Sequence, residues 1–192
     1  MKTYSVIGIA MMAALSATAK DCSVDVYVVS VVSKPVGPLV YSARSKVTAM
    51  FREIGVTVRM RDGNPRPDAS SPCGAPIVIR IEDSTGYDGP ADALAHAMPY
   101  QAGTLIHLFL DRVARKSNQP AFLMALLAHV MAHEIGHVLQ QIARHSDEGM
   151  MKANWSGKDY QAMERKTLPF APIDVEFIRD GLAKRFNHAA GE

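Results

Sequence analysis

The chain has 192 residues, 48% of them hydrophobic and 21% charged, which fits one globular domain with a substantial core. Its formal net charge is only +2, with no basic stripe or dense Lys/Arg block, so nothing marks it as a nucleic-acid binder.

The first nineteen residues, MKTYSVIGIAMMAALSATA, read as a signal peptide. Lys2 supplies the basic start, Val6 to Leu15 the apolar run, and Ala17-Thr18-Ala19 the small-x-small cleavage pattern. That apolar run is too short to hold the chain in a bilayer. The expectation is therefore a single mature domain from Lys20 to Glu192, secreted or periplasmic, monomeric and without a membrane anchor. In an oxidising compartment Cys22 and Cys73 pair most simply as a disulfide. A free Cys22 that reaches a metal and keeps the protein latent is the competing reading.

Downstream, strands and helices alternate. VDVYVVSVV, Val24 to Val32, is β-branched and reads as a buried strand. LVYSARSKVTAMFREIG follows with helical spacing at Val40, Val47, Met50, Phe51 and Ile54, and stops at Gly55. VTVRM alternates as a second strand, and a Pro-rich loop leads to a third, IVIRIE. A strand, a helix and a strand in this order suit a crossover between parallel strands. TLIHLFLDRV reads as a further extended segment. PAFLMALLAHVMAHEIGHVLQQIAR is one long helical run, almost wholly apolar up to His137, and must be buried. A last amphipathic helix spans about Pro172 to Phe186, with Val175, Ile178, Leu182 and Phe186 on one face. The fold class is α+β, with the chemistry on its most buried helix.

That chemistry starts from spacing. His133 and His137 stand four apart, so a helix puts both imidazoles on one face a turn apart, where they can share a metal. Glu134 projects from the adjacent position, outside that ligand geometry but placed to take a proton from an activated water. Zinc is the metal such a pair suits, and the uncharged flanks Val130, Met131, Ala132, Ile135, Val138 and Leu139 keep the surroundings dry. His129 lies two turns from His137, about 12 Å along the axis, and reads as a core or supporting residue. A continuous helix would carry His145 about as far in the other direction. His145 can join only if the helix ends between Gln141 and Ala143; otherwise the third ligand is a carboxylate such as Asp147, Glu148, Asp159 or Glu164.

HEIGH, followed by a histidine and then methionines, resembles the metzincin zinc peptidases, whose pattern is H-E-x-x-H-x-x-G-x-x-H and a methionine turn. Here Gln140 stands at the glycine position, Ala143 at that of the third histidine, and the histidine comes two residues later. The resemblance implies His145 as third ligand, with Met151 beneath the metal after a turn at Gly149, or else Met150. Read without it, the two methionines fill core gaps.

YDGPADALAHAMP, Tyr87 to Pro99, and HLFLD after it resemble the matrixin segment that wraps a structural metal. That implies His96 and His107 as ligands of a second zinc, and Asp88 and Asp111 beside a calcium. Read without it, these histidines are polar residues of a rim loop. The resemblance further implies a twisted, mostly parallel sheet with one antiparallel edge strand, a long active-site helix and a C-terminal helix. An extended peptide would dock along the edge strand, expected near Thr104 to Leu110. KANWSGKDY would wall the substrate pocket, with Trp155 lining it.

The function these readings imply is a secreted zinc endopeptidase. Two alternatives stay open: a non-catalytic zinc-binding module on the same fold, and a zinc hydrolase of a non-peptide amide such as a cell-wall bond.

Overall fold

The computed structural model describes residues 23–33, 37–66, 69, 73–97 and 104–190. The signal-peptide reading and Cys22 lie outside them. Among the described residues no cysteine is free, and Cys73 is fully buried.

The sheet has five strands in the order β2-β1-β3-β5-β4: β1 Ser23–Ser30, β2 Thr57–Asp62, β3 Ile77–Glu82, β4 Ala95–Ala97 and β5 Leu105–Phe109. β1 pairs in parallel with β2 and β3, and β3 with β5; β4 runs antiparallel to β5 along the edge. Parallel neighbours need a crossover, and α1, Gly37–Glu53, supplies it between β1 and β2. Val24, Val26 and Val28 are buried while their alternating neighbours are half-buried, so one face of β1 meets the helices and the other is more open.

Helix α3, Pro120–Gln140, lies in the core against α1 and α5, Pro172–Ala190. Pro120 at the first position suits a helix start. Its 21 residues are long and apolar enough to cross a membrane, yet in this fold the apolar stretch is mostly buried among α1, α5 and the sheet. α5 crosses the end of α3 so closely that a Cβ on Gly181 would strike the Leu139 carbonyl. Only glycine fits that crossing.

Two segments differ from the sequence expectation. TLIHLFLDRV is extended only to Phe109; Leu110–Ala114 then form a short helix, α2, which puts Asp111 and Arg112 on a turn. KANWSGKDY contains the start of α4, Gly157–Arg165, capped by Ser156 and Asp159 in a reciprocal box.

The edge is also in a different place. β5 is flanked by β3 on one side and by β4 on the other, so Ile106 to Leu108 have no open side to offer a peptide. On this side of the sheet the edge strand is β4, and on the other it is β2. The signal for β4 was weak because Ala-His-Ala carries little strand propensity.

Candidate metal centre

Helix α3 stops at Gln140. Gln141 takes the left-handed conformation, φ 57°, and its N–H closes on the His137 carbonyl. A non-glycine residue there costs about 1–2 kcal/mol. From that turn the chain folds back beneath the helix. Ser146 N–H donates to the Met151 carbonyl at 2.8 Å, and Met150 N–H to the Pro169 carbonyl at 2.7 Å. Gly149, φ 75°, passes too close to that same carbonyl to carry a Cβ.

The result brings His145 to the two helix histidines. One nitrogen from each of His133, His137 and His145 falls within 4.8 Å of the others, and among the described residues this is the group suited to a metal. His145 sits exposed on the returning loop, while His133 and His137 are buried.

Hydrogen bonds fix how the buried pair can act. His133 Nδ1–H donates to the Met150 carbonyl at 2.8 Å, and His137 Nδ1–H to the Ile142 carbonyl at 3.3 Å. A carbonyl only accepts, so both protons lie on Nδ1 and both Nε2 atoms present lone pairs. Those Nε2 atoms are 3.0 Å apart. Protonation does not relieve their repulsion, because burial and neighbouring imidazoles lower His133 to about 3 and His137 to about 4. A cation between them does. Two ligands at tetrahedral angle on zinc, each about 2.05 Å away, stand roughly 3.3 Å apart, close to the spacing found. The residues fit the metal.

Glu134 is buried beside this group, and desolvation raises its carboxyl to about 8 against a hydrogen bond from the Ala97 backbone. It lines a cleft of about 610 Å³ with His133, His137 and His145. Residues 90–97 form one wall; Lys152 to Trp155 and Tyr160 form another. Trp155 is where the sequence put it, its indole edge-on to His133 at 5.5 Å. Lys152 is held to Asp159 at 2.7 Å, which ties this wall to the start of α4.

Met150 and Met151, the two residues offered for the methionine turn, are both fully buried. Met151 sends its sulfur against Gly136 under the helix, while Met150 contributes the carbonyl that orients His133. His129 is a satisfied core residue: Nδ1–H donates to the Ala125 carbonyl at 2.7 Å and Nε2 accepts the Leu168 N–H at 3.0 Å.

The second metal expected from the matrixin resemblance is a correction. His96, His107, Asp88 and Asp111 form no metal-suited group among the described residues. His107 Nδ1 is bonded to Glu82 at 2.6 Å, and Asp88 is exposed. Asp111 accepts from Ser84 N–H and Oγ at 2.9 and 2.7 Å and from Arg115 at 2.9 Å. Buried Arg112 donates to the Pro90 and Ala93 carbonyls, both at 2.8 Å, and lies over the Tyr87 and Phe109 rings. A guanidinium pins the rim where the resemblance implied calcium or zinc. Sequence reasoning passed over Arg112 and the Ala97 backbone. Only the pairing of β4 with β5 reveals them.

A five-stranded, mostly parallel sheet with one antiparallel edge strand packs against the helix that bears His133 and His137. The solved structure of archaemetzincin from Methanopyrus kandleri is similar, with a TM-score of 0.59 over 83% of this chain and 96% of that one, at 15% identity. At that identity the likeness establishes the fold. No family model and no curated protein matches the sequence.

Proposed function

We propose that the chain is a secreted or periplasmic zinc-dependent endopeptidase. The observation that carries this reading is the convergence of three imidazoles beside a buried carboxylate that is not one of them. His133, His137 and His145 would hold the ion through one nitrogen each. A zinc ion there would supply Lewis acidity toward a carbonyl oxygen and make a neighbouring water acidic.

The chain's own groups do the rest. Phe109 N–H bonds to the Leu94 carbonyl at 2.9 Å, so the backbone groups of Ala95 and Ala97, one and three residues on, point away from β5 and into the cleft. An extended peptide would add there as a further strand, with Ala95 N–H and C=O its nearest partners. The peptide of our reading therefore runs along β4 rather than along Thr104 to Leu110. Glu134 takes a proton from the attacking water as the carbon–oxygen bond forms. It then returns that proton to the amine nitrogen as the carbon–nitrogen bond breaks. The archaemetzincin likeness gives no support to a matrixin-like subtype, and we do not retain that refinement.

The test is zinc analysis of the purified chain with digestion of unfolded casein, with and without a chelator. Glu134→Gln should keep its zinc and lose about 10²–10⁴-fold in rate. Asp159→Ala and Glu164→Ala should keep both, since Asp159 is occupied by Lys152 and Ser156. A parent chain that binds zinc but digests no protein would leave the binding module or the non-peptide amide hydrolase in its place.

A further inference from the structure

His145 is the ligand whose position is hardest to explain. It sits exposed on a loop outside regular secondary structure, twelve residues after the first ligand. Both helix histidines have Nδ1 tied to a carbonyl, but the His145 ring has no such tie among the described residues. Free rotation of that loop would cost the site most of its affinity, because the third ligand would have to be ordered by the ion itself.

Its two neighbours are not free. Arg144 Nη1 donates to Asp174 Oδ1 at 2.7 Å, and Ser146 Oγ donates to the same oxygen at 2.6 Å. Asp174 Oδ2 accepts the Ala171 N–H at 3.1 Å. The carboxylate is completely buried, with its charge answered by Arg144, whose guanidinium lies 5.1 Å from the Phe177 ring. Charge-assisted bonds of this length are the strong ones. Ser146 is further held through its N–H to the Met151 carbonyl. One buried carboxylate on the first turn of α5 thus grips the residue on each side of His145.

We propose that Asp174 is a positioning residue of the metal centre: by holding Arg144 and Ser146 it fixes the loop so that His145 faces His133 and His137 before any ion arrives. This rests on the reading of the three histidines as metal ligands. Asp174 touches neither ion nor substrate. It acts through the backbone of its neighbours, as supporting hydrogen bonds orient ligands in metal sites generally.

The experiment measures Zn²⁺ affinity of the full chain by chelator competition, and the visible spectrum of the Co²⁺-loaded form. The chains compared are the parent, His145→Ala, Asp174→Asn, Ser146→Ala and the double variant His145→Ala/Asp174→Asn, each checked for folding by circular dichroism. Asp174→Asn and Ser146→Ala should bind Zn²⁺ about 10–100-fold more weakly than the parent and alter the Co²⁺ bands. In the His145→Ala background Asp174→Asn should cost far less than in the parent, because only the direct effect of its charge on His137 remains.

Parental affinity and parental Co²⁺ bands in folded Asp174→Asn would overturn the proposal, leaving a carboxylate that merely stabilises the chain. If Asp174→Asn fails to fold, Ser146→Ala decides, and parental affinity there overturns it equally. A loss in the double variant as large as that of Asp174→Asn in the parent also counts against it. A parent that binds no Zn²⁺, or a His145→Ala that binds as well as the parent, overturns the metal-centre reading and this proposal with it.

Discussion

A Cβ placed on Gly136 would lie 2.5 Å from the sulfur of Met151 and 3.1 Å from its methyl carbon. Ala is normally worth about 1 kcal/mol over Gly inside a helix. Here Met151 is fully buried and has nowhere to retreat. Gly136→Ala should therefore destabilise the fold by about 1–3 kcal/mol, as overpacked cores do. It should also weaken metal binding, because Met151 directly follows the Met150 carbonyl that orients His133. Thermal unfolding and zinc competition test this; a Gly136→Ala chain that is more stable than the parent, with unchanged affinity, would refute it.

The metal-free chain should have a bell-shaped stability profile. His129, His133 and His137 are lowered from 6.5 to about 4, 3 and 4, chiefly by burial, so the unfolded chain binds more protons as pH falls below 6.5. Their contribution is present above 6.5 and is lost toward pH 4 and 3. Glu134 has the opposite sign. Raised by burial from 4.5 to about 8, it stabilises below 4.5, and that contribution drains away as pH climbs to about 8. Between 4.5 and 6.5 three histidines outweigh one glutamate, so stability rises; above 6.5 Glu134 alone makes it fall. Denaturant titrations of chelated protein from pH 5 to 9 should show a maximum near 6.5. In Glu134→Gln the alkaline decline should vanish, and its persistence would mean that another group causes it.

Arg112, not a cation from solution, should hold the rim of the cleft. Adding Ca²⁺ or a calcium chelator should leave the melting temperature unchanged. Arg112→Met should cost about 1–3 kcal/mol, because the Pro90 and Ala93 carbonyls lose their donor, and KM for peptides should rise as residues 90–97 loosen. A calcium-dependent melting temperature would restore the structural metal that the geometry denies.

Gln140 is almost wholly buried, and among the described residues neither atom of its side-chain amide has a hydrogen-bond partner. An unmatched amide of this kind costs about 1–3 kcal/mol. Gln140→Leu, close in size, should stabilise the fold while leaving zinc affinity within about twofold. Urea midpoints measure it, and a lower midpoint for Gln140→Leu would show that the amide is satisfied in solution.

The parts of this site that were legible are those that one element fixes alone. Helical geometry makes His133 and His137 neighbours from their spacing, and sets Glu134 beside them. His145 came from the metzincin resemblance, because spacing alone left a later carboxylate open as the third ligand. The residue that turns the chain, Gln141, carries no signal, because the left-handed conformation there is imposed by the packing around it. β4 was illegible for a related reason, since Ala95 to Ala97 become a strand only by pairing with β5. α4 was missed although Ser156 and Asp159 stand at capping-box spacing in plain view. Asp174 lies thirty residues from Arg144, and nothing in either stretch points to the other. Two of the ligands that the matrixin-like motif implied are engaged elsewhere, His107 by Glu82 and Asp111 by Ser84 and Arg115.

β1 lies between β2 and β3 and runs parallel to both. Tension on the start of the described chain therefore loads two ladders in shear, with their evenly spaced bonds sharing the force. Tension on the far end meets only α5, a helix packed on α3 with no strand partner. An unfolding machine gripping that end would peel α5 away first. Asp174 would leave with it while the sheet still stood, so a chain engaged from its C-terminus would lose its metal centre before it lost its fold.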